Sequence, residues 1–172
     1  MEPWLKKVLT NIIMITIVLA ICWGILCVCV SCGLKAFAYK LPSIEEPCGM
    51  STEEFEAVLK GELKQYAQDF LNAEEDYNIN ACFLASIAAA ESGWGEHQFK
   101  PNNIFGFGRK TYKSVEHCID HVAWYLRKHY LNKNGKYYRG GTISAIGKIW
   151  CLDGGEWVRL VSGIYGGMVN GR

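Results

Sequence analysis

The stretch that decides the fold is Cys82–Gly108, CFLASIAAAESGWGEHQFKPNNIFGFG. It opens as an apolar, alanine-rich run and meets its first charge at Glu91. It then breaks into Ser92-Gly93-Trp94-Gly95 and continues to Asn102-Asn103-Ile104-Phe105-Gly106. A run that is apolar or small on every side predicts a helix at the centre of its fold. Asn80 is placed to cap it over Ala81 to Ser92, and Gly93 suits the stop. The alanines let neighbouring helices approach closely. Glu91 therefore emerges at the C-terminal end of a core helix. An apolar surround and the negative end of the helix dipole would both favour a protonated carboxyl there, as a general acid requires. The bland alternative is a solvated last-turn glutamate. Trp94 reads either as an aromatic wall or as a core tryptophan. Asn102 and Asn103 read either as ligand-binding amides or as turn formers.

Outward from this stretch the periodicity is helical. Ser51 and Glu54 have capping-box spacing. Phe55, Val58, Leu59, Leu63, Tyr66, Phe70 and Leu71 then recur at three and four, as one face of a long amphipathic helix. Lys100 to Lys113 is loop or a short hairpin, rich in Gly and Asn. Ser114 is placed to cap a helix with the apolar face Val115, Cys118, Ile119, Val122, Ala123, Leu126 and Tyr130. Asn134-Gly135 marks a turn. Thr142 opens a short helix carrying Ile143, Ile146 and Trp150. Asp153-Gly154-Gly155 breaks it, and Trp157, Leu160, Val161, Ile164, Tyr165 and Met168 mark a last helix. No run of alternating strands, no repeat and no low-complexity tract is visible. The fold class expected is mainly α.

The N-terminal part is of another kind. Residues 1–11 read as a short cytoplasmic tail bearing Lys6-Lys7, and 12–33 as an uncharged apolar run. A helix of ~20 apolar residues spans a bilayer, whereas signal-peptide cores run ~7–15, so a single-pass signal-anchor is expected. Ala36-Phe37-Ala38 is the rival cleavage site. Residues 34–50, with Pro42 and Pro47, read as a linker, and 51–172 as the domain held on the extracytoplasmic side.

The net charge of +1 gives no global pull toward nucleic acid. Acids dominate from Glu45 to Asp76 and bases from Lys100 to Arg139. That basic half suits an anionic polymer or is a solvated surface. Cys48, Cys82, Cys118 and Cys151 match no zinc spacing, so no metal or other cofactor is expected. Disulfides among them remain open, although Cys82 and Cys118 fall on apolar helical faces as buried thiols would.

Two motifs, Ala88-Ala89-Ala90-Glu91-Ser92-Gly93-Trp94-Gly95 and Asn102-Asn103-Ile104-Phe105-Gly106, resemble the bacterial endo-β-N-acetylglucosaminidases that cut peptidoglycan. Tyr112-x-Ser114 and Trp150-x-x-Asp153-x-x-x-Trp157 are similar to the C-terminal part of that family. The resemblance covers about Ser51 to Asn170. It implies a lysozyme-like domain that hydrolyses the β-1,4 bond between N-acetylglucosamine and N-acetylmuramic acid. Glu91 would be the general acid, and Trp94, Asn102, Asn103, Phe105, Tyr112 and Trp150 would bind glycan. A membrane anchor would then hold the enzyme beside its substrate.

Two departures bear on mechanism. Glycosidases usually pair two carboxylates, yet Phe107 to Ser114 is short and carries no acid. Glu96, Glu116 and Asp120 are the carboxylates at hand, and none is assigned, so substrate-assisted catalysis by the N-acetyl group fits a lone acid. The resemblance also implies a tyrosine near Trp150, for which Tyr112 or Tyr165 would have to substitute. The rival readings are a lytic transglycosylase or muramidase on the same fold, and a non-catalytic wall-binding module of a secretion or conjugation machine.

Overall fold

The computed structural model describes residues 41 and 43–171. The expected membrane segment at 12–33 lies outside these residues, and no helix among them is long and apolar enough to cross a membrane. The described residues form a helical domain: α1 (Thr52–Val58), α2 (Ala67–Tyr77), α3 (Ala81–Ser92), α4 (Val115–Leu126), α5 (Ile143–Trp150) and α6 (Gly154–Asn170). A 3-10 turn (Gly61–Tyr66) precedes α2 and another (Phe107–Arg109) follows the asparagine loop. A π-helical turn, Arg127–Leu131, extends α4. There are no strands among the described residues.

α3 is the axis of the domain. Every residue from Ala81 to Ala89 is buried, Ser86 included. Its most extensive packing is against α6, with α2 on another side, and α4 lies against α2. The small side chains permit this close approach, and Phe83 meets Tyr165 of α6 edge-on at 6.3 Å. Asn80 caps α3 as expected, its Oδ1 accepting from the Phe83 N–H.

The single long helix expected over 55–71 is broken into α1, the 3-10 turn and α2. Gly61 is the cause. It has φ +52°, and a Cβ there would lie 2.8 Å from the Trp94 carbonyl oxygen. That carbonyl accepts from the Leu63 N–H at 3.2 Å. The chain turns at Gly61 in order to dock on the loop that follows α3, an override of local periodicity by tertiary contact.

Residues 43–50, within the stretch read as linker, are packed onto the domain. Ile44 and Cys48 are buried. Asn80 donates from its backbone to the Ile44 carbonyl and from its amide to the Glu46 carbonyl. Glu74 Oε2 accepts from the backbone N–H of both Cys48 and Ala81, at 2.8 and 2.7 Å. One carboxylate thus fixes this strap and the start of the core helix together. Arg127 completes the junction. It pairs with Glu45 at 2.7 Å and donates to the carbonyls of Tyr77 and Asn78 at the end of α2.

Candidate active site

Gly93, in the left-handed conformation, ends α3 and donates to the Ala89 carbonyl. Glu91 lies past the buried run, and its side chain is exposed. The apolar surround expected from the sequence therefore stops short of the carboxyl. What holds it instead is a pair of indoles. Trp150 and Trp157 both donate their Nε1–H to Glu91 Oε1, at 3.0 and 2.8 Å.

The two donors come from the facing ends of consecutive helices, Trp150 as the last residue of α5 and Trp157 in the opening turns of α6. Their rings lie 6.2 Å apart. Asp153, between them, caps α6 through Oδ1 to the Glu156 N–H. Gly147 makes the corner possible, since a Cβ there would sit 2.4 Å from Val158 Cγ2 and 2.8 Å from Trp157 Cε3. With Oε1 engaged twice, Oε2 faces the loop at Gly106, where a Cβ would be 3.7 Å away. Oε2 is thus the oxygen that neither indole occupies.

A cleft of about 310 Å³ opens on this side. Its lining is Glu91, Phe105, Gly106, Phe107, Gly108, Tyr130, Trp150 and Cys151. Glu91 is the one carboxylate in that lining. Phe107 stacks on Trp150 with ring centres 5.5 Å apart. Tyr130 comes from the π-helical turn, in which the Asn132 N–H reaches back five residues to the Arg127 carbonyl. Burial, and then Tyr125 and Tyr137, push the Tyr130 phenol up to about 12, so it remains a hydroxyl throughout the working range.

Of the residues singled out by sequence, the cleft brings together Glu91, Phe105 and Trp150. The others have different tasks. Asn103 is fully buried. Its amide donates to the carbonyls of Phe107 and Lys110, and its Oδ1 accepts from the Phe107 N–H. Asn102 donates to the carbonyls of Tyr112 and Lys113. The Asn103 amide is thus spent on shaping the loop that presents Phe105 to Gly108, which corrects its reading as a ligand contact, while the NH2 group of Asn102 ties that loop to Tyr112 and Lys113. Tyr112 is buried with its hydroxyl on His121 Nδ1 at 3.0 Å, and burial raises its phenol. Tyr165 is likewise buried, under Phe83. Neither tyrosine reaches the cleft, so neither stands in for one near Trp150, whose indole meets Glu91 itself. Trp94 lines a separate groove against α6, with the Lys60 ammonium 5.4 Å from its ring centre. Glu116 and Asp120 border a hollow beside α2.

Trp157, Phe107 and Tyr130 were missed. The signal for Trp157 was present in Trp150-x-x-Asp153-x-x-x-Trp157, but its helical spacing also suited a core position. Among the described residues no group of three or more His, Cys, Asp or Glu side chains gathers as a metal site.

A family model for glucosaminidases, described as mannosyl-glycoprotein endo-beta-N-acetylglucosaminidase, matches residues 67–163, more than half of the chain. The chain belongs to this family. Two Streptococcus pneumoniae proteins, from strains TIGR4 and R6, are each 28% identical to it over 102 residues, 53% of the chain, and are named as candidate endo-beta-N-acetylglucosaminidases. The glucosaminidase match spans only 15% and 14% of their lengths. Among solved structures, Staphylococcus aureus autolysin E shares the fold. A catalytic mutant of it in complex with the disaccharide NAG-NAM superposes with TM-score 0.63 at 22% identity, covering 77% of this chain and 72% of that one. Its complex with the muropeptide NAM-L-Ala-D-iGlu gives 0.64 at 20% identity over the same shares.

Proposed function

We propose that this glucosaminidase-family domain is a peptidoglycan hydrolase that cleaves the β-1,4 bond between N-acetylglucosamine and N-acetylmuramic acid. The observation that carries the reading is Glu91 itself. It is a carboxyl at the mouth of an aromatic-walled cleft, with one oxygen fixed by two indoles and the other directed at the space a sugar would fill. The glycan and muropeptide bound to the autolysin E neighbours support the substrate class.

In this mechanism Oε2 of protonated Glu91 gives its proton to the glycosidic oxygen as the bond from the anomeric carbon to that oxygen breaks. The cleft lining offers no second carboxylate to trap the anomeric carbon. The carbonyl oxygen of the neighbouring N-acetyl group attacks it instead, forming an oxazolinium ion, an allowed exception to the two-carboxylate scheme. Glu91, now ionised, takes a proton from the water that opens this ring, and the starting state is restored. Throughout, the indole N–H groups are fixed dipoles that need no reorganisation as the carboxyl gains and loses charge.

Glu91→Gln tests the assignment with little disturbance, because the glutamine carbonyl can accept from both indoles. Digestion of purified walls is expected to fall at least ~10³-fold, as for loss of an essential proton donor, with an unchanged melting temperature. Unaltered digestion would remove Glu91 from catalysis. Mass spectrometry of wild-type digests is expected to show reducing-end N-acetylglucosamine. Anhydromuramic ends would make the enzyme a lytic transglycosylase instead. The reading includes the N-terminal apolar segment as a single-pass anchor with the domain outside the cell, and recovery of the full chain in the salt-washed membrane fraction tests it.

A further inference from the structure

The cleft leaves one strip of surface unexplained. α4 carries its expected buried stripe, but His121, Trp124 and Tyr125, with Lys128 of the π-helical turn that extends it, form a second stripe at spacings of three and four. These residues are not core. Trp124 is 39% exposed, Lys128 is exposed, and His121 and Tyr125 are half-buried. Their rings are joined in series to the active site. Trp124 meets Tyr125 at 6.3 Å, Tyr125 meets Phe107 at 4.7 Å, and Phe107 stacks on Trp150, which holds Glu91.

Cations accompany the rings. Lys128 lies over Trp124 at 4.7 Å, Lys110 over Tyr112 at 4.8 Å and Lys136 over Tyr137 at 5.0 Å. The acids of α4 lie elsewhere: Glu116 and Asp120 border the hollow by α2, where Asp120 accepts from the Tyr77 hydroxyl at 2.5 Å. Charge is therefore separated around α4, with its own acids on the α2 side and lysines of the flanking segments among the aromatics. Flat rings suit the faces of pyranose sugars, and ammonium groups suit carboxylates. An amino-sugar polymer with carboxylates along its length matches both. We infer that the strip from Phe107 through Tyr125 to Trp124 and Lys128 is a track for the glycan strand, gripping it beyond the bond being cut. This rests on the proposed function for its substrate class and on the continuity of the rings for its path.

The test compares Trp124→Ala/Lys128→Glu with its parent. In the Glu91→Gln background, sedimentation with purified peptidoglycan sacculi is expected to weaken about tenfold, the scale of losing one aromatic anchor, and parent binding is expected to fall with added salt. In the active protein, KM for sacculi is expected to rise about tenfold with kcat retained. Hydrolysis of a short soluble peptidoglycan tetrasaccharide, which fills only the cleft, is expected to be unchanged, and that arm also reports intact folding. Equal binding and digestion by the double variant would overturn the track. So would an equal loss on the tetrasaccharide, which would place Trp124 in the cleft's own function. Loss of parent binding when sacculi are stripped of linked phosphate polymer by hydrofluoric acid would also overturn it, by making that polymer the occupant. If the wild type cuts neither substrate while Glu91→Gln binds stripped sacculi through Trp124, the hydrolase reading fails and the track stands.

Discussion

At the residue scale, the proposed mechanism turns on how one carboxyl is held. Trp150 and Trp157 converge on a single oxygen of Glu91. Replacing either indole by phenylalanine keeps a ring in place and removes one N–H. For Trp157→Phe we expect kcat on purified walls to fall about 10–100-fold with KM little changed, the scale of losing one preorganised donor. Trp150→Phe should act in the same direction and also disturb KM, because Trp150 lines the cleft and stacks on Phe107. Of the motif Glu91-Ser92-Gly93-Trp94-Gly95, the sequence made the acid's position readable, because it is the first charge after the apolar run and falls in the last turn of the core helix. It did not reveal what the rest of the motif does. Ser92 is buried, donating to the Ala88 carbonyl and accepting from the Gly95 N–H. Trp94 adopts φ +64° and offers its carbonyl to Leu63. These are backbone tasks, and such tasks leave no distinct mark on residue type.

At the scale of elements, the site depends on the corner between α5 and α6. Gly147 lets Trp157 lie against α5 with no room to spare. Gly147→Ala is expected to destabilise the domain by about 1–3 kcal/mol, as overpacking does, and to lower activity further by moving Trp157 away from Glu91. Thermal melts and wall-digestion rates on the same preparation check both effects. Helix starts were legible where a polar residue preceded an apolar period: Ser51, Asn80, Ser114 and Thr142 each cap the helix that follows through a side-chain oxygen, and Asp153, read only as part of a break, caps α6 in the same way. The break at Gly61 was not legible, because the apolar spacing runs on through it and the partner that demands the turn is Trp94, 33 positions along the sequence. The π-helical turn was hidden for a similar reason. Gly135 packs so closely that a Cβ would lie 2.6 Å from the His129 carbonyl oxygen.

At the scale of the whole domain, the strap at 43–50 extends the folded unit beyond the boundary that composition suggests. Pro42 and Pro47 read as linker, yet Ile44 and Cys48 fill the core and Glu74 and Asn80 hold their backbone. A chain begun at Ser51 is expected to be less stable than one begun at Leu41 by about 3–5 kcal/mol, from the lost apolar burial and hydrogen bonds. Urea midpoints of the two proteins measure this. Acid should also weaken the domain through His121. Burial, with Lys110 and His117 nearby, holds this imidazole below its usual 6.5, against an opposing pull from Asp120. Above that value neither the folded nor the unfolded chain is charged at this site, and no penalty applies. As pH falls below about 6.5 the unfolded chain binds the proton first, and stability declines until the lower folded value is passed. His121→Gln is expected to lose less stability than wild type between pH 7 and pH 5.

The placement of both indole hydrogens on one oxygen of Glu91 has a bearing on inhibition. The carboxyl is no longer a symmetric fork, because one of its prongs is already occupied. A drug-like cation that grips a carboxylate with two parallel N–H groups, as an amidine or guanidine does, would have to displace a tryptophan. A compact protonated amine set in a sugar-like ring needs only the other prong. Basic iminosugars should therefore outperform forked cations of equal charge.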